Sequence, residues 1–145
     1  MRLNRFLGVT SLLLASACST AYGDERPSAS THAESAQISG GLTYRERIAL
    51  PPGATAQVQL LEVSRADAPS TVIDQANYDL RGRSVPFGFE LYLPAAAVQL
   101  HAQFAVRGQI RGPDGNLLFT TDKVNRVEAR MQDQSLGTII MVSAR

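Results

Sequence analysis

The chain has no tryptophan, one cysteine and one lysine among its 145 residues, and aromatics make up only 6% of it. A single cysteine excludes an internal disulfide, the staple on which many small exported domains rely. It also excludes a structural zinc site built on paired cysteines. The fold must therefore rest on an apolar core and backbone pairing. Charge of one sign is equally scarce, with 14 basic residues against 13 acidic ones. Arg2 and Arg5 lie in a segment expected to be removed, and without them 12 basic residues face 13 acidic ones. So balanced a chain has no field to attract nucleic acid or an anionic lipid surface, and neither is expected as a partner. Lys123 stands against thirteen arginines, a bias that a GC-rich coding sequence explains better than a functional arginine pattern.

The length allows one domain of ordinary size, and a 44% hydrophobic content is normal for a globular chain. The apolar residues are unevenly placed. Met1 to Cys18 has a short positive start at Arg2 and Arg5, an apolar run from Phe6 to Ala15, and small residues Ala15-Ser16-Ala17 before Cys18. The run is too short for a permanent membrane helix. The three zones together describe a secretory signal peptide over residues 1–17. Three outcomes stay open at the junction. Cleavage after Ala17 by the general signal peptidase would leave a soluble protein with a free thiol. Retention would leave an anchor, against which the length argues. The third outcome follows from Ala15-Ser16-Ala17-Cys18, which resembles the lipobox at which bacterial lipoproteins are lipidated and then cut before cysteine.

That resemblance implies an acylated Cys18 holding the protein to a membrane. One acyl chain binds only marginally at about 0.8 kcal/mol per buried methylene, so the several chains of a lipoprotein are needed for lasting attachment. Ser19 follows the cysteine, where an aspartate would mark inner-membrane retention in enterobacterial lipoproteins. The resemblance therefore implies the periplasmic face of the outer membrane. Residues 18–36 read as the lipidated N-terminus and a flexible linker, rich in Ser, Ala and Thr and carrying His32. Its eighteen residues from Ser19 to Ala36 span roughly 23 Å root-mean-square, at about 5–6 Å times the square root of length.

From residue 37 to 145 the dominant period is two. Ile38, Gly40, Leu42, Tyr44, Glu46 and Ile48 fall on one face of a first strand, which Pro51-Pro52-Gly53 ends. Further strands are expected over Thr55–Ser64, Thr71–Leu80 (interrupted by Asp74 and Asn77), Val85–Leu93, Phe104–Arg111, Leu117–Thr121 and Leu136–Ser143. Pro86 suggests an edge or a bulge, Pro94–Leu100 one helical turn, and Val124–Arg130 is ambiguous. Gly112-Pro113-Asp114-Gly115-Asn116 is a hairpin turn by composition. About seven short strands with no helical period imply an all-β, antiparallel, immunoglobulin-like sandwich, with a closed barrel as the alternative architecture.

Catalytic chemistry is sparsely provided for. The two histidines, His32 and His101, are not at ligand spacing, and no nucleophile elbow or phosphate loop occurs. Glu46, Glu62 and Glu90 fall on separate strands, where cross-strand pairing with Arg45, Arg47 or Arg107 is the plainer reading. No enzyme, metal, cofactor or small-molecule substrate is expected. Glu46 lies on an otherwise apolar face, so a bulge or the strand end should carry it to solvent.

Several blocks strongly resemble the YbaY-type lipoproteins. They are Tyr44-Arg45-Glu46-Arg47-Ile48-Ala49-Leu50-Pro51-Pro52-Gly53-Ala54, then Val58 to Pro69 (VQLLEVSRADAP), Pro86-Phe87-Gly88-Phe89-Glu90-Leu91, and Gly115 to Asp122 (GNLLFTTD). These proteins belong with YscW, the lipoprotein pilotin of type III secretion. The resemblance implies a periplasm-facing β-sandwich lipoprotein and, in the pilotin branch, a secretin or other envelope protein as partner. A non-catalytic binding module could take an extended segment at an edge strand, with Tyr44, Arg45 and Arg47 as candidate contacts. The alternative is an envelope structural or stress lipoprotein with no dedicated client.

Overall fold

Alternation along each strand decides which side chains meet. The computed structural model describes residues 34–65, 67–98 and 102–144. Within them the chain forms β1 (Ser35–Tyr44), β2 (Thr55–Glu62), β3 (Thr71–Asp79), β4 (Phe87–Pro94), a one-turn helix α1 (Ala95–Val98), β5 (Phe104–Arg111), β6 (Leu117–Thr120), β7 (Asn125–Val127) and β8 (Gln134–Ser143). Inward rows of Ala56, Val58 and Leu60 from β2, Phe87, Phe89, Leu91 and Leu93 from β4, and Phe104, Val106 and Ile110 from β5 build one buried cluster. Each large aliphatic or aromatic side chain so buried contributes about 1.5–3 kcal/mol relative to exposure. No disulfide is needed to hold such a core.

The strands form one hydrogen-bonded path in the order β3-β2-β5-β6-β8-β1-β4, with β7 also on the edge of β5. This corrects the expected immunoglobulin-like sandwich of about seven antiparallel strands. There are eight strands among the described residues, the first and last pair in parallel, and the sheet is rolled into a nearly closed barrel. The reason is physical. A period of two fixes which face of a strand is buried but is silent on which edges pair. The deciding contact is a short one, Phe119 opposite Ser143 and Thr120 opposite Val142, which joins β6 to β8 and links what would be two sheets.

Several boundaries also shift. β1 starts at Ser35, so the linker expected to run to Ala36 is two residues too long; Ala36 is core. β1 stops at Tyr44, and Glu46 and Ile48 lie beyond it in solvent, as the expected escape of Glu46 from the apolar face requires. Pro86 precedes β4 and does not interrupt it, because the strand begins at Phe87. The ambiguous stretch after Val124 holds β7. The expected helical turn is α1, and the glycine-rich segment is a hairpin turn in which Gly115 donates to the Gly112 carbonyl at 2.9 Å. Gly115 has φ +80°, a conformation that side chains bearing a Cβ rarely adopt.

Two glycines shape the interior. A Cβ on Gly108 of β5 would lie 2.9 Å from both terminal carbons of Leu42, which enters from β1. One on Gly40 would lie 2.8 Å from the Phe89 ring. Each large side chain occupies the space its glycine leaves. The two ends of the path, β3 and β4, meet without a backbone ladder between them. Side chains close the gap: the Tyr92 amide donates to Asp74 Oδ2 at 2.7 Å, and the Glu90 amide donates to the Tyr78 hydroxyl oxygen at 3.1 Å.

Candidate interaction surface

The chain enters β1 at Ser35 and reaches Tyr44 nine residues later, roughly 30 Å away at about 3.3 Å per residue. At that far end Tyr44 is committed to the fold. Its ring stacks on Phe119 with centroids 4.2 Å apart and planes 11° from parallel. Its hydroxyl donates to the Ile48 carbonyl at 2.8 Å, pinning the loop that leads to β2. Burial, with the Glu46 carboxylate nearby, raises the Tyr44 phenol above its ordinary value. Tyr44 therefore clamps the loop after β1 while remaining half-buried at the edge of the groove that also holds Arg47.

Arg45 and Arg47 diverge. Both are exposed, and they line separate grooves on the two sides of the loop. Arg45 and Glu46 form one wall of a groove of about 360 Å³ over the outer face of β8, opposite Asp122, Lys123 and Asn125. Its floor carries Ile140 and Val142, 39% and 37% exposed, above the buried Ile139 and Met141. An apolar floor between two mixed-charge walls suits an amphipathic segment, whose apolar stripe covers the floor while its charges meet either wall. Arg47 joins Arg81 and Arg83 around the second groove, of about 480 Å³. There Arg81 is tied to Asp79 at 2.7 Å, and the guanidinium holds the Asp79 carboxyl below the usual carboxylate range. A larger depression, about 610 Å³, lies over Ser39, Gly41, Gly88 and Thr138 beside the seam between β3 and β4, with Tyr78, Phe89 and Glu90 also lining it.

Of the three contacts expected from the sequence, Arg45 thus lies in one groove and Tyr44 and Arg47 in another, Tyr44 also clamping the loop. The β8 floor was not among them. Its signal was the unbroken run Ile139-Ile140-Met141-Val142, which lacks the alternation of a half-buried strand and so leaves an apolar outer face uncovered. The cross-strand ion pairs expected for Glu46, Glu62 and Glu90 do not form. Among the described residues the side-chain ion pairs are Arg81 with Asp79 and Arg130 with Glu128, both between residues two apart. In the ladder Arg107 faces Gln59, and Glu62 faces Phe104. No group of three His, Cys, Asp or Glu able to hold a metal occurs among the described residues. Cys18, His32 and His101 lie outside those residues.

Comparison with known proteins agrees with this geometry. Residues 33–136 match the family described as type III secretion system lipoprotein chaperone (YscW). Over 90 residues the chain is 39% identical to the uncharacterized lipoprotein YbaY of Escherichia coli K12; the match takes in 62% of this chain and 47% of that one. The chain thus spans about half the length of this curated relative. The structure of an alternative pilotin from the type II secretion system of Vibrio cholerae superposes with a TM-score of 0.63 at 36% identity, over 76% of this chain and 99% of that one. A barrel-like all-β domain with a family match across most of its length leads to one conclusion: the chain belongs to the YscW family of lipoprotein chaperones.

Proposed function

We propose that this protein is a pilotin-like, non-catalytic carrier, anchored to the periplasmic face of the outer membrane through an acylated Cys18. Residues 1–17 are the signal peptide that is removed, and the segment from Ser19 is the tether. The client is a segment of a secretin or another envelope protein, seated in the groove over β8. One observation carries the reading: Ile140 and Val142 stand exposed on a strand whose flanks supply both signs of charge, in a chain of a lipoprotein-chaperone family. The position of the groove fits the role, because it lies at the end of the domain away from where the chain enters β1.

Two experiments test this. Globomycin, which blocks lipoprotein processing, should cause an unprocessed precursor to accumulate. The mass of the untreated mature protein should give an acylated cysteine as first residue; a mature protein starting elsewhere, or without fatty acid, removes the anchor. Crosslinking of the anchored protein to envelope proteins should yield a defined client. The double variant I140D/V142D should weaken its capture by roughly 10- to 100-fold, the effect of losing an apolar hot spot. Undiminished capture by a folded double variant would place the client elsewhere.

A further inference from the structure

In a barrel closed by backbone pairing no strand has a free edge; here the closure is of another kind. Alternate amides of a strand point the same way, so on the side of β4 facing β3 they belong to Gly88, Glu90 and Tyr92, and Pro94 has none. The Tyr92 amide is taken by Asp74 Oδ2 at 2.7 Å and the Glu90 amide by the Tyr78 oxygen at 3.1 Å. Asp74 and Tyr78 face the same way as Ala76, because in the ladder they oppose Leu60, Ala56 and Val58, all inward residues of β2. Asp74 is therefore a carboxylate turned toward the interior at the seam, and the β4 edge supplies its donor. The two oxygens stand where the carbonyls of an adjacent strand would be.

We infer that Asp74 and Tyr78 form a guard on β4, which closes the barrel and denies that edge to a second copy of this chain. An inward-pointing charge beside an edge is one of the devices by which sheets avoid pairing with one another. For a protein with an apolar groove elsewhere, the guard keeps association confined to that groove. The inference does not depend on what the groove binds. With the guard removed, the β4 edges of two copies are free to pair antiparallel, bringing the outward-facing Glu90 positions of the two copies close together.

The test uses the full chain in detergent, with amide hydrogen exchange followed at Glu90 and Tyr92. Glu90→Cys serves as a reporter of copy-to-copy pairing under mild oxidation. The variant D74A/Y78F should exchange both amides about tenfold faster, the factor expected for losing hydrogen bonds of this kind. It should also give a disulfide-linked dimer through residue 90. D74N, which keeps an acceptor oxygen, should retain protection at Tyr92 and stay monomeric. If D74A/Y78F fails to fold, Y78F alone removes only the hydroxyl and should accelerate exchange at Glu90 and not at Tyr92. Unchanged exchange at these amides would overturn the closure, and faster exchange without a residue-90 dimer would overturn the guard.

Discussion

The packing of Leu42 against Gly108 gives the sharpest quantitative test of this fold. Gly108→Ala adds a methyl whose carbon would begin 2.9 Å from both terminal carbons of Leu42. Leu42 is fully buried and cannot swing aside into solvent. Overpacking of this sort costs about 1–3 kcal/mol. Replacing a glycine in a strand returns roughly 0.5–1 kcal/mol of chain entropy. The net expectation is a loss of about 1–2 kcal/mol, which at about 4–8 °C per kcal/mol lowers the thermal midpoint by roughly 5–15 °C. Leu42→Ala alone should cost about 2–5 kcal/mol through the cavity it leaves. In the double variant the new methyl enters that cavity, so the combined loss should fall short of additivity by about 1–2 kcal/mol. Urea unfolding with a common slope measures all three. Gly41→Ala is the internal control. Its Cβ would meet nothing nearer than Thr138 Oγ1 at 3.8 Å, and its effect should stay within about 0.5 kcal/mol. A Gly108→Ala protein as stable as the parent, or strict additivity in the double variant, would refute the packing argument.

Other perturbations probe single contacts. Tyr44→Phe keeps the stack on Phe119 but loses the bond to the Ile48 carbonyl; it should cost about 0.5–1.5 kcal/mol and speed proteolysis between Arg45 and Pro52. Gln134 is a buried amide that both donates to the Glu128 carbonyl at 2.8 Å and accepts from the Glu128 amide at 2.9 Å. Gln134→Leu should therefore destabilise by about 1–3 kcal/mol and loosen residues 128–133, read by amide exchange. Arg81→Ala should return the Asp79 carboxyl upward toward an ordinary aspartate in an NMR titration. Because the folded Asp79 value is depressed, whatever stability the pair supplies is present at neutral pH and lost as pH falls through that value; no acid-side change on breaking the pair would contradict the assignment.

The inward rows of β2, β4 and β5 were legible because alternation and burial are the same fact seen from two sides. The hairpin at Gly112–Asn116 was legible from turn chemistry. Closure was not. It depends on β1 lying parallel to β8 and on a two-pair contact between β6 and β8, and neither leaves a periodic trace. Asp74 looked like an interruption of a weak strand; it is a working part of the seam, and only the placement of β4 beside it explains the residue. Arg45 and Arg47 are both exposed, but the loop after β1 turns Arg45 into one groove and leaves Arg47 with Tyr44 in another, a division that adjacency in sequence does not reveal.

The parallel pairing of β1 with β8 also bears on how the domain comes into being. Ile38 meets Gln134 and Tyr44 meets Met141, contacts between strands about a hundred residues apart along the chain. A polypeptide made N-terminus first presents β1 long before its second neighbour arrives. Distant pairings of this kind slow assembly, since the connecting loop must close before the contact rewards it. Maturation thus waits on the final ten-residue strand, and a chain cut short before Gln134 would leave Ile38 and Leu42 with one bare flank and no finished core.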